Sequence, residues 1–214
     1  YGYYITPLLI LLSFSFDKTP IDISIHTCHT ETRFSEIYLS RQIPGGKEQF
    51  MYLSDIHTHS IASGHGTDCT ISDMAKSASR KGLKLLGITD HGPATLAAGT
   101  PSYFRSLTFS PKKRFGLELL YGIELNILDK EGHTDLDEEL LSRLDYAIAS
   151  MHAQNYKSGT IEENTKAYIN AMKNPHVKVL GHCDNPQFPV DYDQIAKAAK
   201  EYQTCLLYTS DAAD

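Results

Sequence analysis

Asp55-Ile56-His57-Thr58-His59 closes an apolar run at residues 51–56, and His65 follows six residues later. The arrangement recurs along the chain as Thr89-Asp90-His91-Gly92, Gly122-Ile123-Glu124, Ser150-Met151-His152 and Gly181-His182, each at the end of a short apolar run. In a strand, residues i and i+2 face the same side, so His57 and His59 can reach one ion. Asp55 lies on that same face and can hold a ring N–H. A lone H-x-H has a bland reading as two surface histidines. Histidines or a glutamate at five successive strand ends favour convergence on one multi-metal pocket over a βα framework.

The segments between these ends alternate strand and helix, which is the pattern of an α/β fold with a parallel sheet. Strands are expected at residues 51–56, 83–89, 118–128, 144–149 and 177–180. The second is nearly all apolar, as a strand buried on both faces should be. Thr70-Ile71-Ser72-Asp73 and Thr160-Ile161-Glu162-Glu163 have the form of capping boxes. They open helices expected to reach Arg80, before Gly82, and about Asn174. A further helix is expected over residues 191–202, with Ile195, Ala198 and Ala199 on one face. Residues 92–113 form a long polar loop over the strand ends, a candidate lid that has room for a short helix.

A length of 214 residues, 41% hydrophobic and 21% charged, suits one globular domain. The net charge of −6 argues against a nucleic-acid footprint, which needs clustered Lys and Arg. Lys112-Lys113-Arg114 is the one dense basic cluster. It reads as a solvated loop before it reads as a contact for an anionic substrate. Cys28, Cys69, Cys183 and Cys205 form no C-x-x-C pair, so a reducing cytoplasm is the expected setting and Cys183 is expected as a packed thiol. The apolar stretch at residues 7–16 is too short to span a bilayer, and no membrane association is expected. Ile25-His26-Thr27-Cys28-His29 finds no pairing motif downstream and is not expected to ligate. His133 and His176 are expected at the surface.

The two ends read differently from the middle. Lys47-Glu48 can be encoded by a ribosome-binding sequence at a sensible distance before Met51. Residues 1–50 are therefore expected to be translated upstream DNA. Residues 205–214 resemble an in-frame translation of a sequencing-library adapter. The domain is accordingly expected at residues 51–204.

The motifs together resemble the PHP (polymerase and histidinol phosphatase) family, closest to its small stand-alone YcdX-type phosphatases. They are D-x-H-x-H-S at residues 55–60, His65, I-T-D-H-G-P at 88–93, G-I-E-x-N at 122–126, His152, and H-x-x-N-P at 182–186. The resemblance implies a distorted (βα)7 barrel, here truncated after five strand–helix units. It also implies up to three divalent ions, zinc first and manganese or iron as substitutes. The implied ligands are His57, His59, His65, His91, Glu124, His152 and His182, with Glu124 bridging two ions. By the same analogy they group as His65 with His91, His57 with His59 and Glu124, and Glu124 with His152 and His182. Glu124 and His182 are expected to carry the catalytic role. The family pattern adds a late Asp and His in G-S-D-x-H, which this sequence lacks, so this chain itself is expected to be weak or inactive.

The chemistry such a site suits is hydrolysis of a small phosphomonoester by a metal-bound hydroxide, acting on a phosphorylated metabolite. Three alternatives stand beside it: a metal-dependent C–N hydrolase, an exonuclease module of a DNA polymerase, and a non-catalytic metal-binding fragment. No P-loop, dinucleotide fingerprint or Ser, Cys or Asp nucleophile motif competes.

Overall fold

The computed structural model describes residues 37–42 and 48–207, with side chains from Ser54 onward. The expectations for residues 7–16, for 25–29 and for 208–214 fall outside those residues. The chain begins with an antiparallel pair, β1 (Ile37–Gln42) against β2 (Glu48–Asp55), with Leu39 opposite Met51. The expected starting point, Met51, thus lies within β2. A 3-10 turn (Ile61–Ser63) follows the first two histidines, and α1 (Ile71–Arg80) returns to β3 (Leu85–Ile88). Then come α2 (Pro101–Leu107), β4 (Lys113–Arg114), β5 (Leu117–Tyr121) and β6 (Ile123–Asn126). Next are α3 (Glu138–Leu141), β7 (Ala147–Ser150), α4 (Ile161–Met172), β8 (Val177–Leu180), α5 (Tyr192–Tyr202) and β9 (Cys205–Leu206).

The fold is α/β. One sheet runs β1-β2-β3-β5-β4 and the other β6-β7-β8-β9. From β2 to β9 the strands of each sheet are parallel, except for the short β4. The sheets are joined through one passage of chain. Residues 118–128, expected as a single strand, divide at Gly122. Tyr121 still pairs with Ile88, whereas Ile123 already pairs with Ala147. A parallel bridge between His91 and Glu124 carries the ladder across the break. A side chain at Gly122 would bring its Cβ to 2.8 Å from the Tyr146 carbonyl oxygen, so the backbones can meet there only at a glycine. The result is a continuous run of strands whose C-terminal ends face one way, β1 and β4 excepted, the arrangement expected of a PHP (βα) barrel.

Local chemistry sets the helix boundaries. Thr70 caps α1, its hydroxyl accepting from the Asp73 N–H while Asp73 reaches back to the Thr70 N–H at 3.3 Å. Thr160 and Glu163 do the same for α4. α5 ends at Gln203 in the left-handed region, φ 56°, with β9 immediately after it. Leu180 pairs with Leu206, and Leu207 is buried, so the paired sheet continues past Thr204. β8 is therefore not an open edge. Four elements were not expected from the sequence: β1, the strand formed by Lys113 and Arg114, α3 and β9.

β6 and β7 are buried along their whole length, and the core packs Leu119, Ile123, Leu125 and Ile127 against Tyr168 and Phe104. Each such side chain contributes roughly 1.5–3 kcal/mol by leaving water. The loop at residues 92–113 is anchored through the buried Phe104 and Leu107 of α2. Among the described residues no helix is long and apolar enough to cross a membrane.

Candidate metal centre

The seven ligand candidates come together at the C-terminal ends of the strands. Glu124 is their centre: its side chain is 1% exposed and its Oε2 makes no hydrogen bond. Around that oxygen lie His91 Nδ1 at 3.0 Å, His59 Nε2 at 3.4 Å and His57 Nε2 at 3.7 Å. Around Oε1 lie His182 Nε2 at 3.1 Å and His152 Nε2 at 3.5 Å. His65 completes the ring, its centroid 4.5 Å from that of His91 and 4.8 Å from that of His59.

One strand end contributes three of these groups with the turn after it, and four later strands contribute one each. The end of β2 and the turn after it supply His57, His59 and His65. The end of β3 supplies His91 and β6 supplies Glu124. His152 and His182 lie two residues beyond β7 and β8. His182 holds φ 32°, a left-handed value that costs a non-glycine residue energy and is common at functional positions.

Three groups of ligand atoms lie within 4.8 Å of one another: His59-His65-His91, His57-His59-Glu124 and His91-Glu124-His152. The second is the grouping implied by family resemblance. The other two differ from it: His59 joins His65 and His91, and His91 stands beside Glu124 and His152 where His182 was expected.

The ring orientations are set by hydroxyls and an amide. Thr89 Oγ1 lies 2.9 Å from His57 Nδ1, Ser63 Oγ 2.6 Å from His59 Nδ1, and Asn126 Oδ1 2.6 Å from His152 Nδ1. In each case the other nitrogen, Nε2, faces the centre. Asp55 accepts from the backbone N–H of His57 at 3.3 Å, while the hydroxyl beside the ring is that of Thr89. Asp90, buried at the end of β3, accepts from the Ser60 N–H at 2.5 Å, the Ser60 hydroxyl at 2.8 Å and the Tyr103 hydroxyl. It fastens the histidine-bearing turn to α2. Asn185 shapes the loop after His182, its Oδ1 accepting from the Gln187 N–H and its N–H donating to the His182 carbonyl.

The electrostatics suit cations. Burial drives the His59 imidazole down to about 2, against the pull of Glu124 and with the help of the neighbouring rings, so it is neutral with a free lone pair. Burial pushes the Glu124 carboxyl up, but His57 and the rings of His152, His182 and His91 outweigh it and hold the group well below the usual range. An ionised carboxylate therefore sits beside the neutral ring of His59. His152 Nε2 makes no hydrogen bond and faces Glu124 Oε1 at 3.5 Å. Two electron-rich atoms so placed repel unless a cation lies between or beside them, and the donor set of imidazole nitrogen and carboxylate oxygen fits a divalent ion.

The remaining candidates lie elsewhere. His133 is exposed in the turn after β6, 2.8 Å from Asp129. Lys112 pairs with Asp145, which accepts the Tyr121 N–H at the end of β5, and Arg114 donates to Ser72 Oγ at the start of β5. Cys183 is a packed thiol, pushed up to about 12 by burial.

The chain is similar to several known proteins. A probable phosphatase from Caldanaerobacter subterraneus subsp. tengcongensis is 47% identical over 158 residues, covering 73% of this chain and 62% of that protein. One from Thermoanaerobacter sp. strain X514 is 48% identical over 149 residues, covering 69% and 60%. One from Clostridium novyi is 44% identical over 150 residues, covering 70% and 61%. The chain thus spans 60–62% of the length of these relatives. A crystal structure from Listeria monocytogenes covers 70% of this chain and 75% of that one at 19% identity, with a TM-score of 0.44. The PHP domain profile matches residues 55–208, from the first aspartate of the histidine motif to just beyond β9, and the protein belongs to the PHP domain family.

Proposed function

We propose that the chain carries the metal-binding half of a phosphatase that hydrolyses small phosphomonoesters. The observation that carries this reading is Glu124: a fully buried, ionised carboxylate with imidazole nitrogens 3.0–3.7 Å from its two oxygens. His57, His59, His65, His91, Glu124, His152 and His182 would hold the ions, with zinc as the first choice and manganese or iron as substitutes. Divalent cations bound there would neutralise phosphoryl oxygens and acidify a water for attack.

The chain's own residues do the rest. Glu124 spreads one negative charge over two oxygens, so it can serve two ions at once. Thr89, Ser63 and Asn126 fix the ring planes and leave Nε2 of each ring directed inward. Ser150 donates to Glu124 Oε1 at 2.6 Å and holds the carboxylate in place. Asp90, Ser60 and Tyr103 tie the histidine turn to α2. The relatives named as phosphatases support this reaction class over a C–N hydrolase.

The test is phosphate release from a panel of sugar, nucleotide and cofactor phosphates, with p-nitrophenyl phosphate as control. Hydrolysis with added zinc or manganese, silenced by chelation, is expected of the protein at the full length of its relatives. The 214-residue chain is expected to bind fewer than three ions tightly and to turn over slowly. Hydrolysis of amides alone would overturn the reading.

A further inference from the structure

Behind the metal centre lies a chain of polar contacts that leads away from it. His152 Nδ1 is 2.6 Å from Asn126 Oδ1. The Asn126 amide is itself fixed on its other side: Nδ2 donates to Asp135 Oδ2 at 2.6 Å and to the Gly92 carbonyl at 3.4 Å. Both of those groups accept only, so the NH2 of Asn126 must face them and its oxygen must face His152. The oxygen also takes Asn155 Nδ2 at 2.7 Å and the Thr95 hydroxyl at 3.2 Å. An oxygen cannot donate, so the proton on the His152 ring must sit on Nδ1. In the neutral ring Nε2 is then the lone pair, and it points at Glu124.

Asp135 is built into this position. Its Oδ1 accepts the Asn126 backbone N–H at 2.9 Å and its Oδ2 accepts the Ala94 N–H at 2.9 Å. A Cβ at Gly92 would overlap the Asp135 carboxylate, so the residue after His91 leaves the space the carboxylate fills. Asp135 thereby touches the loop after β3 and the end of β6, and it reaches His152 through one intervening amide.

We propose that Asp135 is a positioning residue: through Asn126 it sets the Nδ1–H tautomer of His152 and so presents the Nε2 lone pair to a metal ion. The consequence for metal binding rests on the proposed function; the tautomer does not. Replacing the carboxylate by an amide, Asp135→Asn, offers Asn126 a group that can donate or accept. The Asn126 amide is then free to turn, and its NH2 can face the ring.

The experiment is long-range 1H–15N correlation NMR of the histidine rings in the metal-free full chain, followed by zinc titration. The expected result is Nδ1–H for His152 in the parent protein and a mixed or Nε2–H ring in Asp135→Asn. Zinc affinity in that variant is expected to fall by about 10–100-fold. Asn155→Ala, which removes a donor to the same oxygen and leaves Asp135 in place, should keep the Nδ1–H form. A ring that is Nε2–H in the parent protein overturns the proposal, even if Asp135→Asn cannot be folded. So does a folded Asp135→Asn chain with unchanged tautomer. If the tautomer responds as expected but neither protein binds zinc, the positioning role stands and the metal reading falls.

Discussion

The two ends of the parallel strands each carry a carboxylate, and the two are treated in opposite ways. At the N-terminal end, Asp145 accepts the Tyr121 N–H at 2.6 Å and pairs with Lys112, whose ammonium also lies 5.1 Å from the Tyr121 ring centroid. Its charge is matched by a cation and a backbone donor, and its side chain is 28% exposed. At the C-terminal end, Glu124 is 1% exposed and its neighbours are imidazoles, of which His59 is held neutral. A buried carboxylate without a full cationic partner is costly to the folded chain. The first carboxylate is arranged for stability, and the second keeps a charge ready for something that is not a side chain.

The sharpest way to break this contrast is to neutralise each carboxylate in turn. Glu124→Gln should produce the largest effect on metal binding, because one substitution removes a charge shared between sites. The expected loss exceeds the about 10–100-fold that removing an outer partner costs. His65→Ala, which touches one group of ligands, should cost less. The metal-free protein should lose stability as well, because the imidazoles that hold the Glu124 carboxyl well below the usual range favour its charged form in the fold. Metal content by mass spectrometry and thermal unfolding in chelator check the two halves. A fall in the thermal midpoint with metal content unchanged would mean that Glu124 is a structural ion-pair member like Asp145.

Acid offers the second test. The His59 ring titrates near 6.5 when unfolded and about 2 when folded. Between those values the unfolded chain binds a proton that the folded chain refuses, so stability falls as pH drops below 6.5. Glu124 works in the same direction, since its folded value is depressed: its contribution is present above 4.5 and is lost as pH falls through the folded value. The slope is at most about 1.4 kcal/mol per pH unit for each proton. Urea midpoints of the metal-free chain between pH 7 and 4 should decline, and His59→Gln should flatten the decline. A profile identical in both proteins would show that His59 is charged in the fold.

Asp145→Ala should leave metal content untouched and lower stability by about 1–3 kcal/mol, the cost of leaving the Tyr121 N–H without its acceptor. Loss of metal in that variant would mean that the two ends of the barrel are coupled through β5 and β6. The discontinuity at Gly122 argues that they are not.

Much of this was legible in the sequence because it is local. His57 and His59 fall two apart at a strand end, and Thr70 with Asp73 and Thr160 with Glu163 spell out helix starts over four residues. What was missed depends on contacts distant in sequence. Thr89 is 32 residues from the ring it orients, and Asn126 is 26 from His152. No spacing rule links Asp135 to Gly92, although the glycine after His91 was visible. The division of the third strand had a signal in Gly122, but choosing between a kink and a turn needs the position of Tyr146.

The smallest effect belongs to the other carboxylate–imidazole pair. His133 and Asp129 lie 2.8 Å apart in the turn after β6, four residues apart in sequence. Asp129 also accepts the N–H groups of Glu131 and His133, which the turn would direct there in any case. The hydrogen bond and charge of Asp129 raise the His133 imidazole, so its contribution is present below 6.5 and is lost as pH rises through the folded value. Asp129 is lowered: burial opposes the shift, and the His133 bonds outweigh it, so its contribution appears above 3.8. The pair is therefore favourable only in the window between, and water screens it throughout. His133→Ala should leave the thermal midpoint, metal content and acid profile within error of the parent. At 2.8 Å this pair is closer than the 3.0–3.7 Å contacts around Glu124, so proximity does not separate the two; burial and the number of imidazoles do. A loss of metal in His133→Ala would mean that proximity of carboxylate and imidazole alone makes a ligand, and the distinction drawn between Glu124 and every other acidic group in the fold would collapse.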